Sequence, residues 1–188
     1  MKCIPGTILP FEEGMEGNCF SVISPLLSVT KGLTLSQVRE LTGLESSTIQ
    51  NWIKRGWVKN PQGRRYGEEQ VIRIMLINML RGAMQLDKIV WLMGYLNGSV
   101  EDRADDILPD RELFNVLCSV ICQVQEGGFT TRDAINQIIS EKTSCYVHLG
   151  KSAQNKLNSA LLSMVLAYIA SEIRVMSEEE FDRIKAET

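Results

Sequence analysis

The chain has 188 residues and a formal charge of −3, from 20 basic and 23 acidic side chains. Hydrophobic residues make up 44% of it and charged residues 23%, which is typical of a globular protein and excludes a disordered or fibrous chain. This length holds one domain of ordinary size, or a small head and a second packing unit, and excludes a separate large catalytic domain.

The charge is spread unevenly along the chain. Residues 31–97 carry ten Lys and Arg against five acidic residues, a local charge of +5. Residues 1–30 and 98–188 carry −2 and −6. The chain is therefore electrically two-faced, and the acidic tail is expected to be a solubilising surface.

The cysteine pattern and the apolar stretches bear on location. The five cysteines are an odd number without framework spacing, and the first twenty residues have no apolar core of signal-peptide length. The longest mainly apolar stretch, 160–170, is shorter than the roughly 20 residues that a membrane-spanning helix needs. We therefore predict a cytoplasmic protein without a membrane-spanning segment.

The sequence divides into four segments. Residues 1–30 contain three glycines and three prolines, so we predict an irregular leader that ends in a short helix at 21–28. An acidic stretch containing Pro109 ends near residue 110 and is typical of a linker. The predicted units are the leader 1–30, a head 31–98, the acidic linker 99–110 and an all-helical C-terminal unit 111–188.

Two short helices are predicted at the start of the head. Thr34 and Gln37 form a capping box, and apolar residues at helical spacing continue to Gly43, a typical helix end. A second helix, 46–55, places its apolar residues, including Trp52, on one face and polar residues on the other. Two short helices at this spacing, the second with a polar outer face, are typical of a helix-turn-helix.

A basic hairpin is predicted after the helix pair. Residues 57–59 and 64–66 flank the sequence Asn-Pro-Gln-Gly at 60–63, which favours a type I turn, so we expect a small β-hairpin wing. Further helices follow from apolar periodicity at 68–84, 86–96, 111–126, 131–142 (with Thr130 as its N-cap) and 152–176. The expected fold is mainly α, a winged helix-turn-helix followed by an all-α C-terminal unit.

The polar face of the second helix carries groups that read DNA. The amides of Gln50 and Asn51 are able to bond adenine bidentately in the major groove, and Lys54 is able to reach a phosphate or a guanine. The hydroxyls of Ser46 and Ser47 are placed to donate to a phosphate at the start of the helix. We therefore predict that this helix enters the major groove while the first helix braces it against the DNA backbone.

The predicted hairpin adds three cations to this site. Lys59, Arg64 and Arg65 are expected to reach phosphates beside the groove or to enter the minor groove. A bare cluster of cations is more often a solvated loop, but its place after a helix-turn-helix favours contact with DNA. The tryptophans are predicted to be packing anchors rather than stacking platforms. They are Trp52, Trp57 and Trp91.

Several short motifs run from about Leu33 to Leu96. They are Leu35-Ser36-Gln37-Val38, Leu41-Thr42-Gly43-Leu44, Thr48-Ile49, Lys54-Arg55-Gly56-Trp57-Val58, Arg64-x-Tyr66-Gly67-Glu68-Glu69, and Leu80-Arg81-Gly82 with Leu86-Asp87-Lys88-Ile89. This region resembles the head of MerR-type winged helix-turn-helix regulators. The chain resembles more closely still an uncharacterised bacterial family, known only as a domain of unknown function, in which a MerR-like head precedes an all-helical tail.

The resemblance implies roles for the matching positions. It implies that Arg64 and Tyr66 hold the wing against the DNA backbone. It also implies that the outer face of the second helix, 46–55, contacts DNA through Ser47, Gln50, Asn51 and Lys54. The family often has Ser or Asp at the position of Glu45, Arg at that of Gln50 and Tyr at that of Asn51. The long coiled coil that pairs two MerR subunits has no counterpart after this head, so promoter untwisting is not implied.

The last predicted helix has two apolar stripes. One consists of Leu157, Leu161, Met164 and Tyr168, the other of Leu162, Leu166, Ile169, Ile173 and Met176. Two apolar faces need two partners, so the helix either lies at the centre of the tail bundle or pairs one stripe with a second subunit. Our working prediction is a homodimer, which doubles the DNA footprint.

Signals for metal binding and catalysis are weak. Cys118, Cys122, Cys145 and His148 allow a zinc site to be drawn, but their spacing is not that of a known finger or ribbon, and cysteine is often a core residue. Residues 150–152 resemble the end of a phosphate-binding loop, yet Cys145 stands where that loop needs glycine. Catalytic motifs are absent from the sequence. We predict no metal, no cofactor and no enzyme activity.

The sequence thus predicts a sequence-specific regulator of transcription that binds double-stranded DNA. The alternative is a protein-interaction module that keeps the winged fold and binds a partner protein through its C-terminal helices. Clustering of the head's cations on one exposed face favours DNA binding, whereas dispersal of these cations or blockage by the acidic tail favours the alternative. The cations are Lys54, Lys59, Arg64 and Arg65.

Overall fold

The computed structural model describes residues 3–12, 14–15, 17–97, 107–128 and 131–187, with only the backbone at 147–149. In these ranges the chain forms eight α-helices and two 3-10 helices, Cys19–Val22 and Ser144–Leu149, and no β-strand. The α-helices are α1 Ser24–Thr30, α2 Leu35–Thr42, α3 Ser46–Lys54, α4 Glu68–Leu80, α5 Leu86–Asn97, α6 Asp110–Glu126, α7 Arg132–Thr143 and α8 Gly150–Ala186.

The predicted helix pair is confirmed as α2 and α3. The Thr34 side chain accepts a hydrogen bond from the Gln37 backbone N–H (3.3 Å), and the Gln37 side chain accepts one from the Thr34 backbone N–H (2.9 Å), so the capping box is complete. Gly43 ends α2 in the left-handed region at φ 69°, where a side chain is strained. Ile49 and Trp52 of α3 are buried, which fixes α3 against the core.

The predicted β-hairpin wing is wrong. In the described chain between α3 and α4, the only β-pairing is two isolated bridges, Gln62 with Arg65 and Leu33 with Tyr66. The tight turn lies between Gln62 and Arg65, two residues later than the predicted turn at 60–63. Both central residues of the observed turn have positive φ, 56° and 65°. The segment is a loop, so the described fold is mainly α, as predicted, but it has no wing.

Hydrogen bonds to other elements explain why the hairpin does not form. Arg73 of α4 donates from Nε to the Trp57 carbonyl (2.7 Å), and Gln70 donates from Nε2 to the Asn60 carbonyl (3.4 Å). On the other flank, Tyr66 and Leu33 exchange both backbone hydrogen bonds, at 2.7 and 2.9 Å. Because each flank is bonded elsewhere, the two flanks have no free ladder to share.

Helix ends differ from prediction in the second half of the chain. The cap of α7 is Thr131, whose hydroxyl accepts from the Ala134 N–H (3.3 Å). The predicted cap Thr130 lies outside the described residues, as does most of the predicted linker. The helix α8 has 37 residues and ends at Ala186, ten residues beyond the predicted end at 176.

One hydrophobic core joins the leader, the head and the tail. Ile4 and Phe20 of the leader are fully buried, and the Phe20 ring packs edge-on against Phe114 of α6 with 6.3 Å between centroids. The central helix α4 is buried on nearly every side and packs against α2, α5, α6 and α8. The leader therefore contributes to the same core as the helices.

A buried polar cluster links the head to the tail. The Arg73 guanidinium lies 3.9 Å from the Asp110 carboxylate at the start of α6, and both side chains are almost fully buried. Asn97, at the end of α5, donates from Nδ2 to Asp110 (3.1 Å) and to the Leu108 carbonyl (2.8 Å). These bonds hold together the ends of helices on the two sides of the undescribed segment.

The helix α8 satisfies the length and composition of a membrane span, which the sequence reasoning did not predict. It contains an 18-residue window of mean hydropathy 1.5, and 39% of that window is buried inside the protein. A core helix of a globular protein meets the same criterion, so one such helix is weak support for a span. The cytoplasmic location stays a prediction.

Candidate nucleic-acid interface

The outer face of α3 is polar and exposed. The opposite face carries Ile49 and Trp52, which are buried in the core and fix the orientation of the helix. Ser46, at the first position of α3, is half-buried. The recognition face, as we call it from here on, consists of the four exposed residues Ser47, Gln50, Asn51 and Lys54.

The recognition face offers its groups unequally to a ligand. The side chains of Gln50 and Lys54 make no hydrogen bond or ion pair with any residue that the structure describes. Asn51 accepts from Arg55 Nε through its Oδ1 (3.3 Å). Bidentate pairing with adenine uses both the oxygen and the nitrogen of an amide. Both groups of the Gln50 amide are unengaged, whereas Arg55 occupies one of the two acceptor positions of the Asn51 oxygen.

The start of α3 carries an acidic side chain whose charge is offset. Glu45 occupies the N-cap position but makes no capping hydrogen bond with its side chain. Instead its carboxylate lies 3.6 Å from the guanidinium of Arg39 on α2. This exposed pair lowers the repulsion that Glu45 would exert on a phosphate near Ser46 and Ser47. Sequence reasoning missed Arg39, because the pair crosses from one helix to the next and follows no local spacing.

The end of α3 carries a second cation that sequence reasoning left without a role. The Arg55 guanidinium lies over the ring of Trp57, 5.1 Å from its centroid. The Trp57 backbone N–H donates to the Trp52 carbonyl (2.9 Å), so the ring is anchored to the end of α3. Such a cation–π contact holds an exposed guanidinium in one place. The signal in the sequence was the adjacency of Arg55 to Lys54.

The basic loop after α3 contributes its cations to different degrees. Arg64 is exposed and has no ion pair within the described residues. Arg65 is exposed but donates from Nη1 to the Gly32 carbonyl (3.0 Å). The Lys59 ammonium lies 3.8 Å from the Glu69 carboxylate and is half-buried. Arg64 is therefore the most available of the three.

The Tyr66 side chain lies inside the protein. It is only 4% exposed, and burial raises the pKa of its phenol. The backbone there is tightly enclosed, since a Cβ on Gly32, which has φ 101°, would lie 2.8 Å from the Tyr66 carbonyl oxygen. Tyr66, predicted to contact DNA, is thus a core residue without access to a ligand.

The surface of the head is less basic than its sequence suggests. Arg73, one of the ten basic residues counted in the head, is buried beside Asp110 and does not face solvent. The exposed cations around the helix pair are Lys31, Arg39, Lys54, Arg55, Arg64 and Arg65. Six exposed cations thus remain in or beside the helix pair, and one of them, Arg39, is paired with Glu45.

The cysteines and the histidine considered as zinc ligands in the sequence do not form a metal site among the described residues. Cys118 and Cys122 are buried, whereas Cys145 is exposed, and the side chain of His148 lies outside the described residues. Within the described part of the chain no three metal-binding side chains are grouped for a metal ion. The pKa of the Cys19 thiol is raised to about 12, chiefly by a hydrogen bond with Cys118 and further by burial. The Cys19 thiol is therefore a protonated core group.

One predicted packing anchor is exposed. Trp52 is buried and Trp57 is half-buried, but Trp91 is 66% exposed, so its predicted core position is wrong. Its ring stacks on Tyr95, one turn along α5, with 5.3 Å between centroids. The ammonium of Lys156 lies over the Tyr95 ring, 5.1 Å from its centroid.

Similarity searches identify relatives of this chain. Residues 25–115, which contain the whole of α2 to α5 and thus the recognition face, match the model of a family described as "Domain of unknown function (DUF1836)". The "Uncharacterized protein YkrK" of Bacillus subtilis (strain 168) is 29% identical over an alignment of 163 residues, and the alignment covers 81% of this chain and 70% of that protein. No solved structure gives a significant match. These similarities support an uncharacterised domain family.

Proposed function

We propose that this protein is a regulator of transcription that binds double-stranded DNA sequence-specifically, with the recognition face of α3 in the major groove. The observation that carries this proposal is the construction of α3. One face is buried in the core, and the other presents an unengaged amide and an unengaged cation, Gln50 and Lys54, to solvent. In a helix-turn-helix the first helix lies across the DNA backbone and the second reads the bases.

Each residue of the site has a distinct role in this proposal. Gln50 pairs with an adenine, and Lys54 reaches a phosphate or a guanine. Ser46 and Ser47 donate to a phosphate at the N-terminus of α3, where the helix dipole favours an anion. The helix pair resembles that of MerR-type heads, which supports α3 as the reading helix. A hairpin wing has no part in the proposal.

The basic loop supplies contacts to the DNA backbone. It begins at the end of α3 and returns to the start of α2 through the bridge between Leu33 and Tyr66, so it borders the helix pair. Arg64 and Arg65, both exposed, are assigned to phosphates. Lys59 contributes less, because its ammonium is already paired with Glu69.

Selection of genomic DNA fragments with the full chain tests the proposal and supplies a duplex for measurement. Gln50→Ala is expected to weaken binding of the selected duplex by about 1–3 kcal/mol and to relax the preference at one base pair. Arg64→Ala is expected to weaken all duplexes alike and to reduce the log–log salt slope by about 0.9. Gln137→Ala and Arg132→Ala make the same changes at exposed positions of α7 and serve as controls.

Two results contradict the proposal. One is a folded wild-type chain that retains no duplex at low salt. The other is unchanged binding by Gln50→Ala and Arg64→Ala together, because these variants remove an amide and a cation whose side chains have no partner among the described residues.

The alternative function has one observation in its favour. The C-terminal half of α8 exposes large apolar side chains, as a protein-interaction module would. These side chains lie on a different helix from the recognition face, so they are compatible with DNA binding. Failure of every duplex to bind, with the fold intact, favours the alternative.

A further inference from the structure

The helix α8 leaves the body of the protein before it ends. Its first half packs against α4, α5, α6 and α7 and buries side chains such as Leu161 and Met164. Every residue from 172 to 186 is exposed. This segment, which we call the arm, is about 22 Å long at 1.5 Å per residue.

An apolar stripe runs along the side of α8 that faces away from the body. At 100° per residue its members fall within a sector of about 140°, opposite the buried face. The arm stripe consists of Leu166 (41% exposed), Ile173 (52%), Met176 (66%), Phe181 (65%) and Ile184 (56%). These are five of the twelve most exposed large apolar side chains in the described part of the chain.

A bilayer is a poor partner for the arm. Eight of its fifteen residues are charged, and each charge costs several kcal/mol at the centre of a membrane. An apolar stripe of this size with a charged rim is typical of a protein–protein interface. A segment of this length is also marginal as an isolated helix in water, so a packed partner stabilises it.

We propose that a second copy of this chain covers the arm stripe, with the two arms antiparallel about a two-fold axis beside Met176 and Ser177. Residues whose distances from the axis agree to within one residue then lie beside each other. Ile173 faces Phe181 of the other copy, and Ile184 faces the turn of α8 that precedes Ile173. Each apolar residue of one arm thus meets an apolar neighbour on the other.

Charge complementarity supports this pairing. In an antiparallel pair the same edge of each stripe faces its copy. One edge carries Arg174 and Glu178, which form an ion pair within the helix, and the axis places Arg174 of one copy opposite Glu178 of the other. Antiparallel packing also places the two helix dipoles side by side in opposite directions, which is favourable.

The area of the stripe is sufficient for a dimer. Five side chains that are two-fifths to two-thirds exposed offer on the order of 100 Å² each, so two copies bury about 1,000 Å² of apolar surface. This is near the lower limit of a specific interface. Glu180 also lies within this sector, level with Ile173 of the other copy, and its charge is offset by its ion pair with Arg183.

The mass of the full chain in solution tests the proposal. Sedimentation equilibrium is expected to give twice the chain mass of 21.1 kDa at micromolar concentrations and above. Ile173→Glu with Met176→Glu is expected to give the monomer mass, with the helical circular dichroism spectrum retained because both side chains are exposed. Val29→Glu, at an apolar residue of α1 that is 84% exposed, is the matched control and is expected to stay dimeric.

Cysteine crosslinking tests the orientation. In a Cys3→Ser, Cys145→Ser background, which removes the exposed thiols, Met176→Cys lies near the axis and is expected to form a disulfide-linked dimer on oxidation. Ile184→Cys alone is expected not to crosslink, because the antiparallel register separates the two copies of residue 184 by about 20 Å.

Three outcomes overturn the proposal. The first is a wild-type chain that is monomeric at all concentrations, whether or not it sediments with lipid vesicles. The second is a double variant that stays dimeric. The third is crosslinking by Ile184→Cys in place of Met176→Cys. None of these measurements uses DNA, and the arm stripe shares no residue with the recognition face. Failure here therefore leaves the proposed DNA binding to its own test.

Discussion

The helices α3 and α8 share one construction and differ in the chemistry of their outer faces. Each buries one face in the common core and exposes the other. The exposed face of α3 presents an amide and an ammonium, Gln50 and Lys54, whereas that of α8 presents Ile173 and Met176. The first suits hydrogen bonds to base edges and phosphates, and the second suits burial against protein. Exposure alone does not define a binding site, but the chemistry of an exposed face indicates which class of partner fits it.

The largest effect is expected where the regions that carry these helices meet. Arg73→Ala removes the guanidinium beside the buried Asp110 carboxylate and its bond to the Trp57 carbonyl. A buried carboxylate left without its cation costs about 3–5 kcal/mol of unfolding free energy, measurable by urea denaturation. Arg81→Ala, at an exposed position that ends α4, is the control. A loss for Arg73→Ala no larger than that of the control would contradict the structure.

The next effect separates the two faces within each helix. Ile49→Ala in α3 and Leu161→Ala in α8 remove fully buried side chains, and each is expected to lower the unfolding free energy by about 2–5 kcal/mol. Ser47→Ala, on the outer face of α3, is expected to change it by less than about 0.5 kcal/mol. Thermal and urea unfolding measure both. Equal effects on the two faces of α3 would disprove the assigned orientation of that helix.

A smaller effect is expected at the start of the helix pair. Thr34→Ala removes the hydroxyl that accepts from the Gln37 N–H, and the expected loss is about 1 kcal/mol of stability. Thr34→Ser keeps an equivalent hydroxyl and is expected to retain most of that stability. If both variants were destabilised equally, the methyl group of Thr34 rather than its hydroxyl would be responsible.

The smallest effect concerns single cations at the proposed DNA interface. Lys54→Gln is expected to reduce the log–log salt slope of DNA binding by about 0.9, because an unpaired ammonium that meets a phosphate releases a counterion. Lys59→Gln is expected to change the slope less, because Glu69 already lies beside that ammonium. Titrations at several salt concentrations compare the two, and the reverse order would place the DNA nearer the loop than α3.

Local signals predicted the helix pair well. The capping box at Thr34, the stop at Gly43 and the buried face with Trp52 all depend on residues within a few positions of one another, and the structure has them as predicted. The exposure of the recognition face follows from the same periodicity. That it binds DNA stays a prediction.

Long-range contacts decided what the sequence did not reveal. The loop after α3 does not form the predicted hairpin, because Arg73 and Gln70 donate hydrogen bonds to carbonyls of the loop that are 16 and 10 residues earlier in the chain. The ion pair between Arg39 and Glu45 likewise joins two elements. In α8, the charged residues after Met176 resemble a helix end, yet ion pairs along the helix support its continuation to Ala186.

The shared core has a practical consequence for anyone who would trim this protein. The family match spans 25–115, yet Ile4 and Phe20 before it and Leu161 after it belong to the same core as α4. A recombinant fragment that ends at the borders of the match would expose apolar surface of α4 and its neighbours to solvent. Such a fragment is expected to precipitate or to be digested quickly by proteases, so expression trials should retain the entire chain.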